Sequence, residues 1–226
     1  MSDLQYYINV PVKKELQELI YKYGKRIEVA NKKFFIKPGD TIFKMHYIDQ
    51  GMLMHYAVSE EGVEKSYYIS PEGGFINECL YSVHGTSVIA QNYVITKAPS
   101  VLYEIDRTAY IELMKYPIFI ETLQYSFYQK YKKLQYALDN VCFNTARDRL
   151  INLYVVSVQP EATLIDQEWL PMKMHYKQQE LATIIGVHRA SIGRLISELC
   201  RDGCIRIVNR KTQIRKDIIY AKWKKE

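Results

Sequence analysis

The sequence predicts an α+β protein with a strand-rich first half and a helical second half. Glycines recur every 11–12 residues between Gly39 and Gly85, and no further glycine appears before Gly186. Beyond Pro117, apolar residues instead step by three or four, without glycine or proline, as far as Val141. Regularly spaced turns are typical of short strands, and a three-or-four step is typical of a helix.

The first half contains runs rich in aromatic and β-branched residues, namely KFFIKPGDTIF, MLMHYAV and KSYYI. Turn sequences separate these runs: PGD at 38–40, EEG at 60–62 and PEGG at 71–74. Glycine, proline and acidic residues favour turns because of their backbone preferences and local hydrogen bonds. This half is therefore predicted to be a small antiparallel barrel or sandwich.

A single long helix is predicted after Pro117. Its apolar seam consists of Ile120, Leu123, Phe127, Tyr131, Leu134, Leu138 and Val141. A helix of about 26 residues would be roughly 39 Å long. It could pack on its own barrel or pair with a second copy as a two-stranded coil. Lys130, Lys132 and Lys133 leave only a thin apolar stripe, which favours the homodimer.

A second helix is predicted in TARDRLINLYVVSV, with Asn144 as its N-cap because an asparagine side chain accepts hydrogen bonds from the first turn. Met172, Met174 and Tyr176 then alternate with polar residues, as in a strand. The segment IRIV–NRKT–QIRK after Cys204 predicts a basic β-hairpin.

The segment QQELATIIGVHRASIGRLISEL at 178–199 predicts a helix-turn-helix. Such a motif needs a small residue where the helices cross, a glycine in the turn and a branched apolar residue in the second helix. Ala182, Gly186 and Ile192 meet these needs in order. A helical hairpin with solvated arginines is the alternative.

The polar face of the second helix suits a DNA major groove, where an arginine can pair bidentately with guanine. The expected DNA contacts are on this helix, its flanks and the hairpin: Gln178, His188, Arg189, Ala190, Ser191, Arg194, Arg210 and Lys211. Charge supports this hypothesis. The net charge of +6 divides into +8 for residues 173–226 and −2 for residues 1–172, which indicates a polyanionic partner for the C-terminal region.

The chain lacks the sequence signatures of several other classes of protein. The chain starts with no signal-peptide pattern and contains no uninterrupted membrane-length apolar run, so we expect no membrane partner. Its four cysteines form no CxxC pair, which predicts reduced thiols in the cytoplasm. No P-loop, GxSxG or HExxH motif and no metal-ligand spacing occurs, so neither catalysis nor a cofactor is expected.

Seven pieces of the sequence, taken in order, resemble the CRP/FNR superfamily of bacterial transcription factors. They are FIKPGDTIF, YIDQG, EEGVEKSYYI, GGFINE, the long helix, FNTARDRL and ELATIIGVHRASIGRLISEL. The resemblance covers nearly all of residues 30–216. It implies a β-roll sensor of the jelly-roll (double-stranded β-helix) type at 1–116, a dimerisation helix with a hinge at Phe143 within 117–143, and a winged helix-turn-helix at 144–226. It also implies a homodimer on a palindromic operator, with RNA polymerase as a partner if the protein activates transcription.

The sensor departs from relatives that bind cyclic AMP. Those relatives carry Gly-Glu and Arg-Ser where this chain has Asn77-Glu78 and Ala90-Gln91. Without an arginine to neutralise the cyclic phosphate, cyclic AMP is not expected to bind. No cysteine precedes Cys79, so the iron–sulfur cluster of other relatives is not expected either. Haem-binding relatives suggest a role for Cys79 and His84, but a core cysteine and a surface histidine are the interpretation we favour.

The effector is expected between the β-roll and the long helix, at Tyr68, Phe75, Ile76, Asn77, Glu78, Ala90, Gln91, Phe127, Tyr131, Leu134 and Gln135. One branch of the superfamily senses halogenated phenols, and EKSYYI with Tyr68 resembles its sensor strand. The lysine that this branch uses on the long helix corresponds to Gln129 here. A regulator with a degenerate, ligand-free sensor remains the alternative.

Overall fold

A computed structural model describes residues 7–158, 167–172 and 176–223. These residues form two compact units. The β-roll unit comprises residues 7–57 and 67–135, and the C-terminal unit comprises residues 58–66 and 136–223. In the part of the chain thus described, no helix is long and apolar enough to cross a membrane.

The β-roll unit begins with helix α1 (Lys14–Tyr23) and contains one further short helix, α2 (Arg107–Leu113), and a π-helical turn (Leu80–His84). Its strands are β1 (Lys25–Val29), β2 (Phe34–Ile36), β3 (Thr41–Ile42), β4 (Met45–Gln50), β5 (Met52–Val58), β6 (Glu64–Pro71), β7 (Phe75–Ile76), β8 (Val88–Ile89), β9 (Tyr93–Thr96) and β10 (Ser100–Ile105). Strand β5 ends in the C-terminal unit, at Val58, and strand β6 begins there, at Glu64.

The strands form two four-stranded sheets and one small sheet. The strand orders are β1-β10-β4-β7, β2-β9-β5-β6 and β3-β8. Antiparallel pairs join β10 to β1 and β4, β9 to β2 and β5, and β3 to β8. Two apolar clusters fill the interior. One is centred on the rings of Tyr47, Phe75 and Phe119, and the other on Ile48 and Leu53. The predicted antiparallel β architecture is confirmed.

The turn between β4 and β5 shows why the glycine spacing predicted this fold. Gly51 has a φ of +91°, which an L side chain rarely adopts. A Cβ at this position would lie 2.7 Å from the Pro99 carbonyl oxygen. Both the backbone conformation and the close approach of the neighbouring chain therefore require glycine.

The long helix α3 (Pro117–Phe143) has 27 residues, and Pro117 occupies its first position. Proline suits this position because the first helical N–H has no partner within the helix. The face that packs inward shares only Leu123 with the predicted seam. It consists of Phe119, Thr122, Leu123, Ser126, Lys130, Lys133, Ala137 and Asn140.

The predicted placement of the lysines was therefore wrong in part. Lys132 is exposed, but Lys130 and Lys133 are 5% and 9% exposed. A lysine can be buried when its stem packs against apolar groups and its ammonium finds acceptors. Most of the predicted seam is left on the surface: Phe127, Tyr131, Leu134, Leu138 and Val141 are between 41% and 63% exposed.

The C-terminal unit contains helices α4 (Ala146–Val156), α5 (Gln178–Ile185), α6 (Arg189–Arg201) and α7 (Lys216–Trp223), and strands β11 (Trp169–Pro171), β12 (Ile205–Val208) and β13 (Lys211–Arg215). The sheet order is β11-β13-β12. The helix-turn-helix and the basic hairpin are thus confirmed. Helices α1, α2 and α7 had no counterpart in the sequence-based prediction.

Two local predictions need correction. The N-cap of α4 is Thr145 rather than Asn144, because the Thr145 hydroxyl accepts a hydrogen bond from the Asp148 N–H at 3.2 Å. Where a strand was predicted at 172–176, Met172 forms a single bridge to Val158 and Tyr176 lies outside any strand, whereas β11 precedes this segment. Met174 lies outside the described residues.

Candidate DNA-binding surface and sensor cavity

The turn between α5 and α6 is built around Gly186. Its φ of +71° and ψ of 60° are left-handed, and its N–H donates to the Ala182 carbonyl at 2.8 Å. This arrangement satisfies a carbonyl at the end of α5 and redirects the chain. Ala182 and Ile192 are 1% and 0% exposed, so the two helices pack closely through a small and a branched side chain.

The start of α5 uses an unusual cap. Lys177 stands at the N-cap and has no side-chain oxygen to accept a hydrogen bond. Glu180 compensates in part, because its carboxylate accepts the Lys177 backbone N–H at 2.9 Å. The helix therefore begins at Gln178 despite the missing serine or threonine.

The residues expected to contact DNA are accessible. All except Ser191, which is partly buried, are exposed: Gln178, His188, Arg189, Ala190, Arg194, Arg210 and Lys211. The Arg194 side chain is 75% exposed, and its Nε lies 3.8 Å from the Glu198 carboxylate. Such a long exposed ion pair contributes little, so the guanidinium is available to a base. Arg210 and Asn209 both have positive φ at the tip of the β12–β13 hairpin.

Residues 58–66 add contacts to α5 that the sequence did not reveal. The Glu64 carboxylate accepts hydrogen bonds from the Thr183 hydroxyl at 2.6 Å and from the Gln179 amide at 3.1 Å. The Lys65 ammonium donates to the Ile184 carbonyl at the end of the helix. Burial, together with the nearby Arg149 charge, lowers the pKa of Lys65 to about 8.

The β-roll unit contains a cavity of about 340 Å³. Most of the predicted effector residues line it, namely Tyr68, Asn77, Glu78, Ala90, Gln91, Phe127, Tyr131 and Leu134. Three do not. Phe75 and Ile76 are fully buried in the two apolar clusters, because β7 turns both side chains into the core, and Gln135 is exposed on α3.

An ion pair that the sequence analysis missed forms one wall of this cavity. The Lys130 Nζ lies 2.6 Å from a Glu78 carboxylate oxygen and 2.6 Å from the Phe75 carbonyl oxygen. The Ser126 hydroxyl donates to the other Glu78 oxygen at 3.1 Å. The sequence comparison had placed Gln129 at the lysine position of the phenol-sensing relatives. The helical phase instead directs the next residue, Lys130, into the cavity.

Two aromatic groups form a second wall. The His55 and Tyr68 rings lie 4.5 Å apart, and the Lys130 ammonium lies 5.4 Å from the Tyr68 ring centre. Burial, with the charge of Lys130 as a second cause, lowers the pKa of His55 well below its usual value, so the imidazole is neutral. Burial raises the pKa of Tyr68, so its hydroxyl keeps its proton.

Asn77 precedes Glu78 in a left-handed conformation, with a φ of +60°. Asparagine tolerates this region better than most residues, which explains how it can stand where relatives carry glycine. Its side-chain Nδ2 is buried and has no hydrogen-bond partner among the described residues. Cys79 follows the pair, and burial raises the pKa of its thiol.

The cysteines and histidines form no metal site in the part of the chain that the structure describes, where no cluster of three or more potential ligands occurs. All four cysteines are free thiols. Cys79 is half-buried, and His84, at the edge of the cavity, is exposed.

The long helix ends at Phe143, the predicted hinge, whose side chain is 82% exposed. Only Asn144 and Thr145 separate it from α4. The Arg149 guanidinium donates to the Asn144 carbonyl at 3.0 Å, and the Asn144 amide donates to the Asn140 side chain at 3.3 Å. Polar contacts rather than apolar packing therefore hold this junction.

Residues 149–217 match the Crp-like helix-turn-helix domain. No curated protein matches the chain. Its fold is similar to that of the c-di-GMP-responsive regulator CLP from Xanthomonas campestris, with a TM-score of 0.75 and 18% identity over 90% of this chain and 99% of that one. A CooA mutant from Carboxydothermus hydrogenoformans is also similar, with a TM-score of 0.71 and 15% identity over 97% of this chain and 99% of that one. CprK complexed with OCPA has a TM-score of 0.68 and 15% identity over 89% of each chain.

A β-roll, a long helix and a Crp-like helix-turn-helix domain define a DNA-binding transcription regulator. Residues 149–217 form a Crp-like helix-turn-helix domain, and the fold of the chain is that of CRP/FNR regulators, as the ordered sequence pieces had indicated.

Proposed function

We propose that this regulator binds a palindromic operator as a homodimer and responds to a small-molecule effector other than cyclic AMP. The observation that carries the proposal is that Phe127, Tyr131 and Leu134 belong to two surfaces at once. These three side chains line the sensor cavity and also belong to the exposed apolar stripe of α3. A ligand in the cavity would therefore alter the surface on which a second copy packs.

The charges around the cavity support the proposal that cyclic AMP is not the effector. Ala90 and Gln91 carry no cationic group at the positions where relatives neutralise the cyclic phosphate. Lys130 is paired with Glu78 and is not free to replace that cation. A cyclic phosphate would lose its hydration without gaining a counter-charge.

On the DNA side, α6 would lie in the major groove with Arg194 at a base edge and the hairpin tip near phosphates. The effector would change the geometry at Phe143 so that the two reading helices meet half-sites about 34 Å apart. As an activator, the protein would also contact RNA polymerase.

Binding-site selection on random DNA tests the operator part of the proposal. The wild-type chain should enrich an inverted repeat with half-sites about one helical turn apart. Enrichment of a single unrepeated half-site would contradict the homodimeric mode of binding. A thermal-shift screen tests the sensor part, because a ligand that binds only the folded chain raises Tm. A chain that no small molecule stabilises, and that binds its operator fully without one, would be a constitutive regulator.

A further inference from the structure

The sensor cavity contains its own counter-ion. Lys130 and Glu78 form an ion pair of 2.6 Å, and their side chains are 6% and 7% exposed. Each partner is also satisfied by further contacts: Lys130 by the Phe75 carbonyl and the Tyr68 ring, and Glu78 by the Ser126 hydroxyl. A buried pair with such additional hydrogen bonds is held in place, since breaking it would leave an uncompensated charge.

The other ionisable groups around the cavity are neutral or lie at its edge. His55 is unprotonated, Tyr68 keeps its proton, and burial raises the pKa of the Cys79 thiol. His84 is exposed at the edge of the cavity. Among the lining residues that the structure describes there is no arginine, and the single lysine is the one paired with Glu78. The wall of the cavity therefore has no net charge.

We propose that Glu78 serves as an internal counter-ion and makes the cavity selective for uncharged, largely apolar effectors over anionic ones. This inference rests on the proposed function, because it names the class of effector that the sensor accepts. An anionic effector would face the Glu78 carboxylate and find the Lys130 ammonium already occupied. A neutral aromatic molecule meets apolar walls at Ile36, Val94 and Phe127.

The size and polar groups of the cavity agree with this class. Its volume of about 340 Å³ falls at the lower end of the range for small-molecule sites. The Tyr68 hydroxyl and the side-chain amides of Gln91 and Asn92 line it and can both donate and accept hydrogen bonds. A carbonyl, ether or hydroxyl group on an aromatic body would find partners without needing a charge.

The test uses matched pairs of ligands and three variants of the full-length chain. The probes are aromatic primary amides and the carboxylates of the same ring systems, with cyclic AMP as an additional anion. Binding is measured by thermal shift and calorimetry. The wild-type chain should prefer the amides by about tenfold or more, because a desolvated anion lacks a partner.

The variants separate charge from shape. Glu78→Gln keeps the shape of the side chain but frees the Lys130 ammonium, so it should reverse the preference towards the carboxylates. Glu78→Gln combined with Lys130→Met removes both charges and should restore the preference for amides. Lys132→Met removes an exposed lysine from the same helix and should leave the preference unchanged.

Each result bears on the inference in a distinct way. A wild-type chain that prefers carboxylates, or a Glu78→Gln chain with an unaltered preference, would overturn the counter-ion role while leaving effector binding intact. If no probe stabilises the wild-type chain or any variant, the proposal of an effector fails, and the inference about its charge fails with it.

Discussion

The exposed apolar stripe of α3 predicts a dimer that a single charge can disrupt. Leu138 is the most exposed of the five stripe residues, at 63%. We expect Leu138→Asp to weaken the dimer by at least about 100-fold while the single chain stays folded. Substitution of an exposed residue changes the free energy of unfolding by about 0.5 kcal/mol or less, so folding and assembly can be separated.

The magnitude follows from the exposed fractions. Burying a leucine or aromatic side chain completely contributes about 1.5–3 kcal/mol. The five stripe residues are about half exposed in the single chain. Covering them on two protomers therefore releases roughly 8–15 kcal/mol, against an association cost of about 4–15 kcal/mol. Removing the exposed part of Leu138 from both protomers forfeits about 2–4 kcal/mol, and a buried carboxylate adds a further penalty.

Sedimentation equilibrium over a range of concentrations measures the dimer, and titration of operator DNA reports its consequence. Ile111→Asp is the matched control, because Ile111 is 53% exposed but lies on α2, outside the stripe. The control should dimerise like the wild-type chain. An unchanged dimer with unchanged DNA affinity in Leu138→Asp would refute the assignment of the stripe as the interface.

Three further predictions concern DNA specificity, the turn and acid stability. Arg194→Ala should relax the preference at one base pair and weaken operator binding by about 1–3 kcal/mol. Lys211→Ala should weaken the binding of all DNA sequences alike and reduce its salt dependence. Anisotropy titrations on operator and random DNA at several salt concentrations distinguish these outcomes. Gly186→Ala should destabilise the helix-turn-helix by about 1–2 kcal/mol, because its φ is +71° and a Cβ would lie 2.8 Å from the Lys65 Cδ. Gly186→Asn adds the same Cβ but tolerates the left-handed conformation better, so it should destabilise the motif less, and an equal loss of Tm in both variants would contradict the left-handed turn. Burial lowers the pKa of His46 to about 4, so its contribution to stability is complete above pH 6.5 and is lost as the pH falls towards 4. Between pH 7 and pH 5 this loss amounts to about 2 kcal/mol, so thermal unfolding of His46→Leu should show a loss smaller by that amount than the wild-type chain, with the buried His55 accounting for a remainder.

Much of the fold could be predicted because its signals are local. The strands MLMHYAV and IRIV correspond to β5 and β12 residue for residue, since turn residues bound them on both sides. The helix-turn-helix could be predicted for the same reason. Two neighbouring helices that pack closely require the left-handed conformation of Gly186 and the burial of Ala182 and Ile192. The spacing of these residues in the sequence is enough to predict both features.

The inward face of α3 could not be predicted from apolar periodicity. Its lysines at 130 and 133 are buried, and the apolar residues one position away are exposed. Lys130 is buried because Glu78, 52 residues earlier in the chain, supplies the opposite charge. A pairing over such a distance depends on tertiary structure, and no local pattern signals it.

The same limitation explains why Lys130 was not among the predicted effector residues. The comparison by position considered a single residue, Gln129, whereas the structure places the ammonium of the neighbouring Lys130 at the cavity. Lys130 is a single step further along the chain but 100° further around the helix axis, which is enough to move a side chain from the flank into the cavity. A functional residue on a helix is therefore better sought by its phase relative to the buried face than by its alignment with relatives.

If the stripe is the dimer interface, the shared side chains also determine how the sensor can work. Phe127, Tyr131 and Leu134 cannot serve the effector and the partner independently, because both contact the same atoms on one helix. Binding equilibria that share groups are linked, and the linkage is reciprocal: an effector that strengthens the dimer must itself bind more tightly to the dimer, by the same factor. A sensor of this design needs no separate pathway between its cavity and the interface, because one face of α3 belongs to both.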